Sequence, residues 1–192
     1  RGAGNVLGRE QHGHVEKIGY DMYCKLLRET VSVLKGETVG EQTYTEVCIR
    51  TNAYIGEDYV KSERERLKLY KRIAEISSLE EREEILSDVK EMYGEVPKPV
   101  VNLVEVSLLR VLGSRVGVSK VVADNENCKV IWKNGDYANS TSAKTAEKAI
   151  SKKAYVKHPD PFTYAFVGAV GGISGKIALL REFLANANGI II

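Results

Sequence analysis

Ser62-Glu63-Arg64-Glu65-Arg66-Leu67-Lys68-Leu69-Tyr70-Lys71-Arg72-Ile73-Ala74, followed after three intervening residues by Ser78-Leu79-Glu80-Glu81, decides the fold class. Ser62 with Glu65, and Ser78 with Glu81, each have the spacing of a capping box, in which a serine hydroxyl and a glutamate close the first turn of a helix. Leu67, Tyr70, Ile73 and Ala74 then form one apolar stripe, and Leu79, Ile85, Val89, Met92 and Tyr93 are predicted to point inward from the next helix. Gly94 is placed as the stop of that helix, with Pro97 just beyond, the order that helix C-termini favour. Pro97 and Pro99 open a further helix whose run of Val101, Val104, Leu108, Leu109, Val111 and Leu112 is apolar enough for a central position.

Downstream the period changes. Lys120 to Ala123 and Cys128 to Trp132 read as strands around an Asp-Asn-Glu-Asn turn. Thr141 to Lys152 reads as a short helix, Tyr155 to Lys157 and Thr163 to Val167 as strands around Pro159 and Pro161, and Ser174 as the cap of a last helix reaching about Ala187. Upstream, Val47 and Ile49 alternate with polar neighbours in a strand, and Asn52 to Tyr59 is a connection. Further back, Arg1 to Gly19 is a Gly-rich loop, and Tyr20, Tyr23, Leu27, Val31 and Leu34 stripe a helix stopped at Gly36. The polar run 37–43 is the expected boundary between a unit at 1–36 and a domain at 37–192. Helices in a block with strands mostly later favour an α+β fold with a small, mostly antiparallel sheet.

The 192 residues are 43% hydrophobic and 28% charged, which excludes a disordered tail, a collagen and a disulfide scaffold. The formal net charge is +2, too small to imply a nucleic-acid coat, and weak DNA binding at physiological salt is expected. Cys24, Cys48 and Cys128 are far apart and form no C-x-x-C pair, which suits a reducing cytoplasm. No apolar stretch is long enough for a membrane span, no signal peptide is visible, and a start inside a Gly-rich run suggests a piece of a longer protein.

Chemistry-bearing motifs are few. Gly171-Gly172-Ile173-Ser174-Gly175-Lys176 fails as a phosphate loop, because Val170 stands where the first glycine belongs and Ile177 where Ser or Thr follows the lysine. A flexible turn before the last helix is the plainer reading. Gly2, Gly4 and Gly8 lack the dinucleotide spacing, and His12 with His14 lacks a third metal ligand. No catalytic group and no metal site are assigned. Charge is informative: Lys61, Arg64, Arg66, Lys68, Lys71 and Arg72 make one helix basic, and Glu75, Glu80, Glu81, Glu83, Glu84, Asp88, Glu91 and Glu95 make the next region acidic. These are either solvated faces, paired with each other, or a protein-binding face.

Together these segments resemble the C-terminal end of the bacterial transcription-repair coupling factor family. Residues 1–14, Arg-Gly-Ala-Gly-Asn-Val-Leu-Gly-Arg-Glu-Gln-His-Gly-His, are similar to the tail of the translocation motif that the family shares with the helicase RecG, and Ile18 to Tyr23 fits the helix after it. Ala53-Tyr54-Ile55, Asp58-Tyr59-Val60, Leu69 to Ala74, and Tyr93-Gly94 with Val96-Pro97 are similar to the family's own C-terminal domain. The resemblance implies a non-catalytic piece of an ATP-dependent DNA translocase, with Arg1 and Gln11 in the translocation motif and ATP and Mg bound only elsewhere in the whole protein. It further implies an autoinhibitory clamp, in which Asp88, Glu91 and Met92 contact an N-terminal domain resembling excinuclease component B, with Met92 where an arginine is expected. Double-stranded DNA, RNA polymerase and excinuclease component A are the implied partners of the whole protein, and a membrane is not. A free-standing protein-binding module and the C-terminal part of a RecG-type helicase are the alternatives.

Overall fold

The computed structural model describes residues 44–191. The predicted Gly-rich loop and helix, Arg1, Gln11, His12, His14, Cys24 and the boundary at 37–43 lie outside the described residues.

Six helices and a five-stranded sheet account for the described chain. β1 (Glu46–Ile49) is followed by three helices: α1 (Glu63–Ala74), α2 (Leu79–Tyr93) and α3 (Lys98–Arg115). Next come β2 (Val118–Ala123), β3 (Cys128–Trp132), α4 (Gly135–Ala138), α5 (Thr141–Ile150), β4 (Tyr155–Asp160), β5 (Thr163–Val167) and α6 (Gly172–Ala187). The sheet order is β1-β2-β3-β5-β4, with β1 parallel to β2 and every other pair antiparallel. The α+β class and the mostly antiparallel sheet therefore hold. The parallel pair exists because three helices separate its strands, and a parallel return needs a crossover of that kind.

Both serine caps form. Ser62 Oγ accepts from the Glu65 N–H at 3.4 Å, and Ser78 Oγ accepts from the Glu81 N–H at 3.2 Å. The Glu81 carboxylate reaches back one residue further than a simple box, accepting from the Ser77 N–H at 2.7 Å. Gly94 ends α2 at φ 87°, a left-handed conformation that glycine adopts without Cβ strain. The last helix departs from expectation. It starts at Gly172 behind Gly171 (φ 85°), and Ser174 sits inside its first turn and does not cap it. α4 is an addition to the expected elements: Asn134 caps it by accepting from the Asp136 and Tyr137 N–H groups at 3.1 and 3.2 Å.

α3 is the axis of the helical layer. Leu103, Val104, Leu108, Leu109 and Leu112 are fully buried. Thr45, just before β1, packs so closely on α3 that a Cβ at Gly113 would stand 2.8 Å from its methyl group. Beneath, the inner sheet face carries Trp132, Tyr164 and Phe166 in edge-on or tilted contact with Phe183 of α6, at centroid separations of 5.0 to 6.2 Å. Such ring pairs add to the plain burial of their area.

Candidate functional site

The acidic helix α2 carries the candidate residues, and its position is set from both sides. On its inner side only Ile85 and Val89 are buried. At its C-terminal end the Tyr59 hydroxyl donates to the Gly94 carbonyl at 3.1 Å, and the Tyr59 and Tyr93 rings are 5.9 Å apart. Burial, reinforced by the negative charge of Glu95, raises the Tyr59 pKa, which keeps that donor protonated.

A buried ion network fixes α2 against the rest of the fold. Glu105 of α3 is buried, and its Oε1 accepts from Arg82 of α2 (Nε, 2.9 Å) and from Arg181 of α6 (Nη1, 2.5 Å). Arg82 also pairs with Glu83. One carboxylate thus joins three helices, and removing it would leave two guanidinium groups facing each other in a partly dry space.

Asp88, Glu91 and Met92 are spaced i, i+3, i+4 and share one face of α2. The Asp88 carboxylate accepts from Arg72 Nη2 of α1 at 2.7 Å, yet its side chain is 47% exposed. The basic and acidic helices therefore pair through Arg72 and Asp88, while Glu91 is exposed. Met92 overturns the expectation that it points inward with Val89. It is 59% exposed, on the side of the last turn away from Tyr59 and Glu65. Tyr93, one residue on, is half-buried and its hydroxyl lies 3.4 Å from Glu65 Oε2. The face is thus two carboxylates beside an outward methionine. Charge alone locates the acids in the sequence. Apolar spacing misplaces Met92 because Met92 and Tyr93 both follow Val89 at helical spacing, and only the positions of Tyr59 and Glu65 make Tyr93 the one turned inward.

The glycine-rich stretch at 171–176 serves the fold. Lys176 Nζ donates to the carbonyls of Asp124 and Asn125 at 2.7 and 3.0 Å, tying the first turn of α6 to the β2–β3 turn. A Cβ at Gly175 would collide with the Val170 carbonyl at 1.8 Å, so that glycine is needed for close packing. Among the described residues no group of three or more His, Cys, Asp or Glu side chains could hold a metal ion, and no helix is long and apolar enough to cross a membrane. Cys128 is buried, which pushes its thiol up to about 12 and makes a thiolate nucleophile there unavailable at neutral pH.

These features define an α+β module with an acidic, largely exposed helix on its surface. The TRCF domain family matches residues 49–143, a span that includes all of α1, α2 and α3. The chain is 33% identical over 127 residues to the transcription-repair-coupling factor of Bacillus subtilis, covering 66% of this chain and 11% of that protein. It is 31% identical over 134 residues to the transcription-repair-coupling factor of Borreliella burgdorferi, covering 70% of this chain and 12% of that protein. A crystal structure of the C-terminal domain of transcription-repair coupling factor superposes with a TM-score of 0.62 over 79% of this chain and 99% of that one, at 16% identity, a likeness of fold. The chain belongs to the transcription-repair-coupling factor family and carries its C-terminal domain. The match spans about a tenth of the length of these curated relatives.

Proposed function

We propose that this domain is a non-catalytic clamp within a larger DNA translocase, closing on an N-terminal domain similar to excinuclease component B through the outer face of α2. In this reading the whole protein removes RNA polymerase stalled on double-stranded DNA, uses ATP and Mg in its motor, and recruits excision repair through excinuclease component A when the clamp opens. Arg1 and Gln11 belong to the translocation motif that links the motor to stepping. The observation that supports the clamp most is Met92, an apolar side chain turned outward on the same face as Asp88 and Glu91 and unused by the core. An apolar centre edged by charge is how protein interfaces combine burial with orientation. The half-exposed Asp88 can accept a second guanidinium while it keeps Arg72.

Oxidation footprinting tests this. Dilute peroxide should convert Met92 to its sulfoxide quickly in the 192-residue chain and at least several-fold more slowly in the whole protein at rest, read by mass spectrometry of the peptide. Equal rates in the two would remove this face from the clamp.

A further inference from the structure

The sheet has two faces of opposite character. Across the inner face, Val47, Val121, Val130 and Tyr164 align in register and all four are buried under the helices. Across the outer face, Cys48, Val122, Lys129, Ala165 and Lys157 align in register and none is buried. At the β4 end of this outer face Tyr155 lies opposite Val167, and they are 68% and 44% exposed. Tyr155 and Lys157 are two apart on an edge strand, so they project from the same side. Lys129 stands two strands away, about 10 Å from Lys157 by the usual strand spacing, with the small Ala165 between them.

Charge on this face is unevenly matched. Glu46 at the far edge is held by Lys120 at 3.2 Å, and Asp160 turns one carboxylate oxygen to the Phe162 N–H at 2.8 Å. That hydrogen bond, with a smaller contribution from the charge of Lys129, lowers the Asp160 pKa, and neither Lys129 nor Lys157 forms a salt bridge with it. Lys129 and Lys157 flank a shallow, small-residue floor next to an exposed phenol ring. Two cations set about 10 Å apart suit a phosphate backbone, and an exposed ring beside them suits a base that has left its stack. A base paired within a duplex could not reach that ring, whereas an unstacked base can lie flat on it beside the two cations.

We propose that the outer face of the sheet around Tyr155, Lys157 and Lys129 is a weak binding surface for single-stranded nucleic acid, with Tyr155 stacking on one base and the two lysines each neutralising a phosphate. Weakness follows from so few contacts: the affinity is on the order of 10⁻⁴ M near physiological salt and improves as salt falls. A surface of this strength acts only where a single strand is already held nearby, as beside an opened duplex.

Fluorescence anisotropy with labelled oligothymidylate and the full 192-residue chain at low salt tests the proposal. The logarithm of affinity should fall with the logarithm of salt at a slope of about −1.4, that is, −0.7 for each of two phosphates. Tyr155→Ala should weaken binding about tenfold and leave the salt slope unchanged, since stacking is not ionic. Lys129→Glu with Lys157→Glu should abolish binding, whereas Lys68→Glu on α1 should leave it intact. All these side chains are exposed or half-buried on the surface, and circular dichroism of each variant checks that the fold persists. The proposal is overturned if low-salt binding is absent, or if the folded double variant binds like the parent. It is equally overturned if duplex DNA or polyglutamate binds as well as the single strand and Tyr155→Ala has no effect, which would make the face a generic anion or acidic-protein surface.

Discussion

Helices α2 and α3 lie side by side and use their residues in opposite ways. Twelve of the 18 residues of α3 are buried, among them Asn102, Glu105 and Arg110. Only Ile85 and Val89 are buried among the 15 of α2. In α3 even the polar groups are tied into the interior: Asn102 donates to Thr51 Oγ1 and the Asn52 carbonyl at 2.8 and 2.9 Å, and Arg110 lies 5.5 Å from the Tyr44 ring. In α2 the acids mostly face water. A helix that spends nearly every side chain on the core reports on stability when mutated. A helix held by two apolar residues, two ion pairs and a tyrosine at its end has an outer face whose sequence the fold dictates far less, and there a change should cost little stability.

The contrast should be widest at Glu105. Glu105→Ala leaves Arg82 and Arg181 without the carboxylate between them and should lower unfolding free energy by about 3–5 kcal/mol in a urea titration. A loss below about 1 kcal/mol would mean that water replaces the network and that α3 is less decisive than its burial suggests. At the start of α2, Ser78→Ala removes the acceptor for the Glu81 N–H and should cost about 1 kcal/mol, seen as a lower urea midpoint with an unchanged slope. Met92→Ala should sit at the other end of the scale, within about 0.5 kcal/mol of the parent, because the side chain it shortens is mostly in water. A cost of several kcal/mol there would place Met92 in the core after all and erase the difference between the two helices.

The same contrast explains what the sequence revealed. Local signals carried the helical layer: Ser62 and Ser78 as caps, Gly94 as a stop, and the apolar run of α3 as a central helix. Signals that depend on distant parts of the chain did not carry. The pairing of β1 with β2 joins Val47 to Val121 across three helices, and nothing within either strand announces it. Ser174 has the right residue type for a cap, but the tight turn at Gly171, where φ is 85°, sets the start of α6 earlier. β4 runs on through Pro159 to Asp160 because it is an edge strand, where a residue with no N–H is tolerated. The acids of the candidate face were legible as a charge run. Their engagement with Arg72, and the outward turn of Met92 beside an inward Tyr93, depend on where α1 and Tyr59 lie, and neither is written in the local pattern.

The most direct measurement of the central claim pairs one double variant with two readouts. Asp88→Lys with Glu91→Lys removes an exposed ion pair worth at most about 1 kcal/mol, so the 192-residue chain should stay folded, with a thermal midpoint within about 4 °C of the parent. In the whole protein, if the clamp contact supplies Asp88 and Glu91 with guanidinium partners, the same reversal would set lysines against them, at a cost of several kcal/mol across that interface. The clamp should then open, and excinuclease component A should bind at least tenfold more tightly. Unchanged affinity for that component in a double variant that remains folded would contradict the account and leave the outer face of α2 a solvated surface.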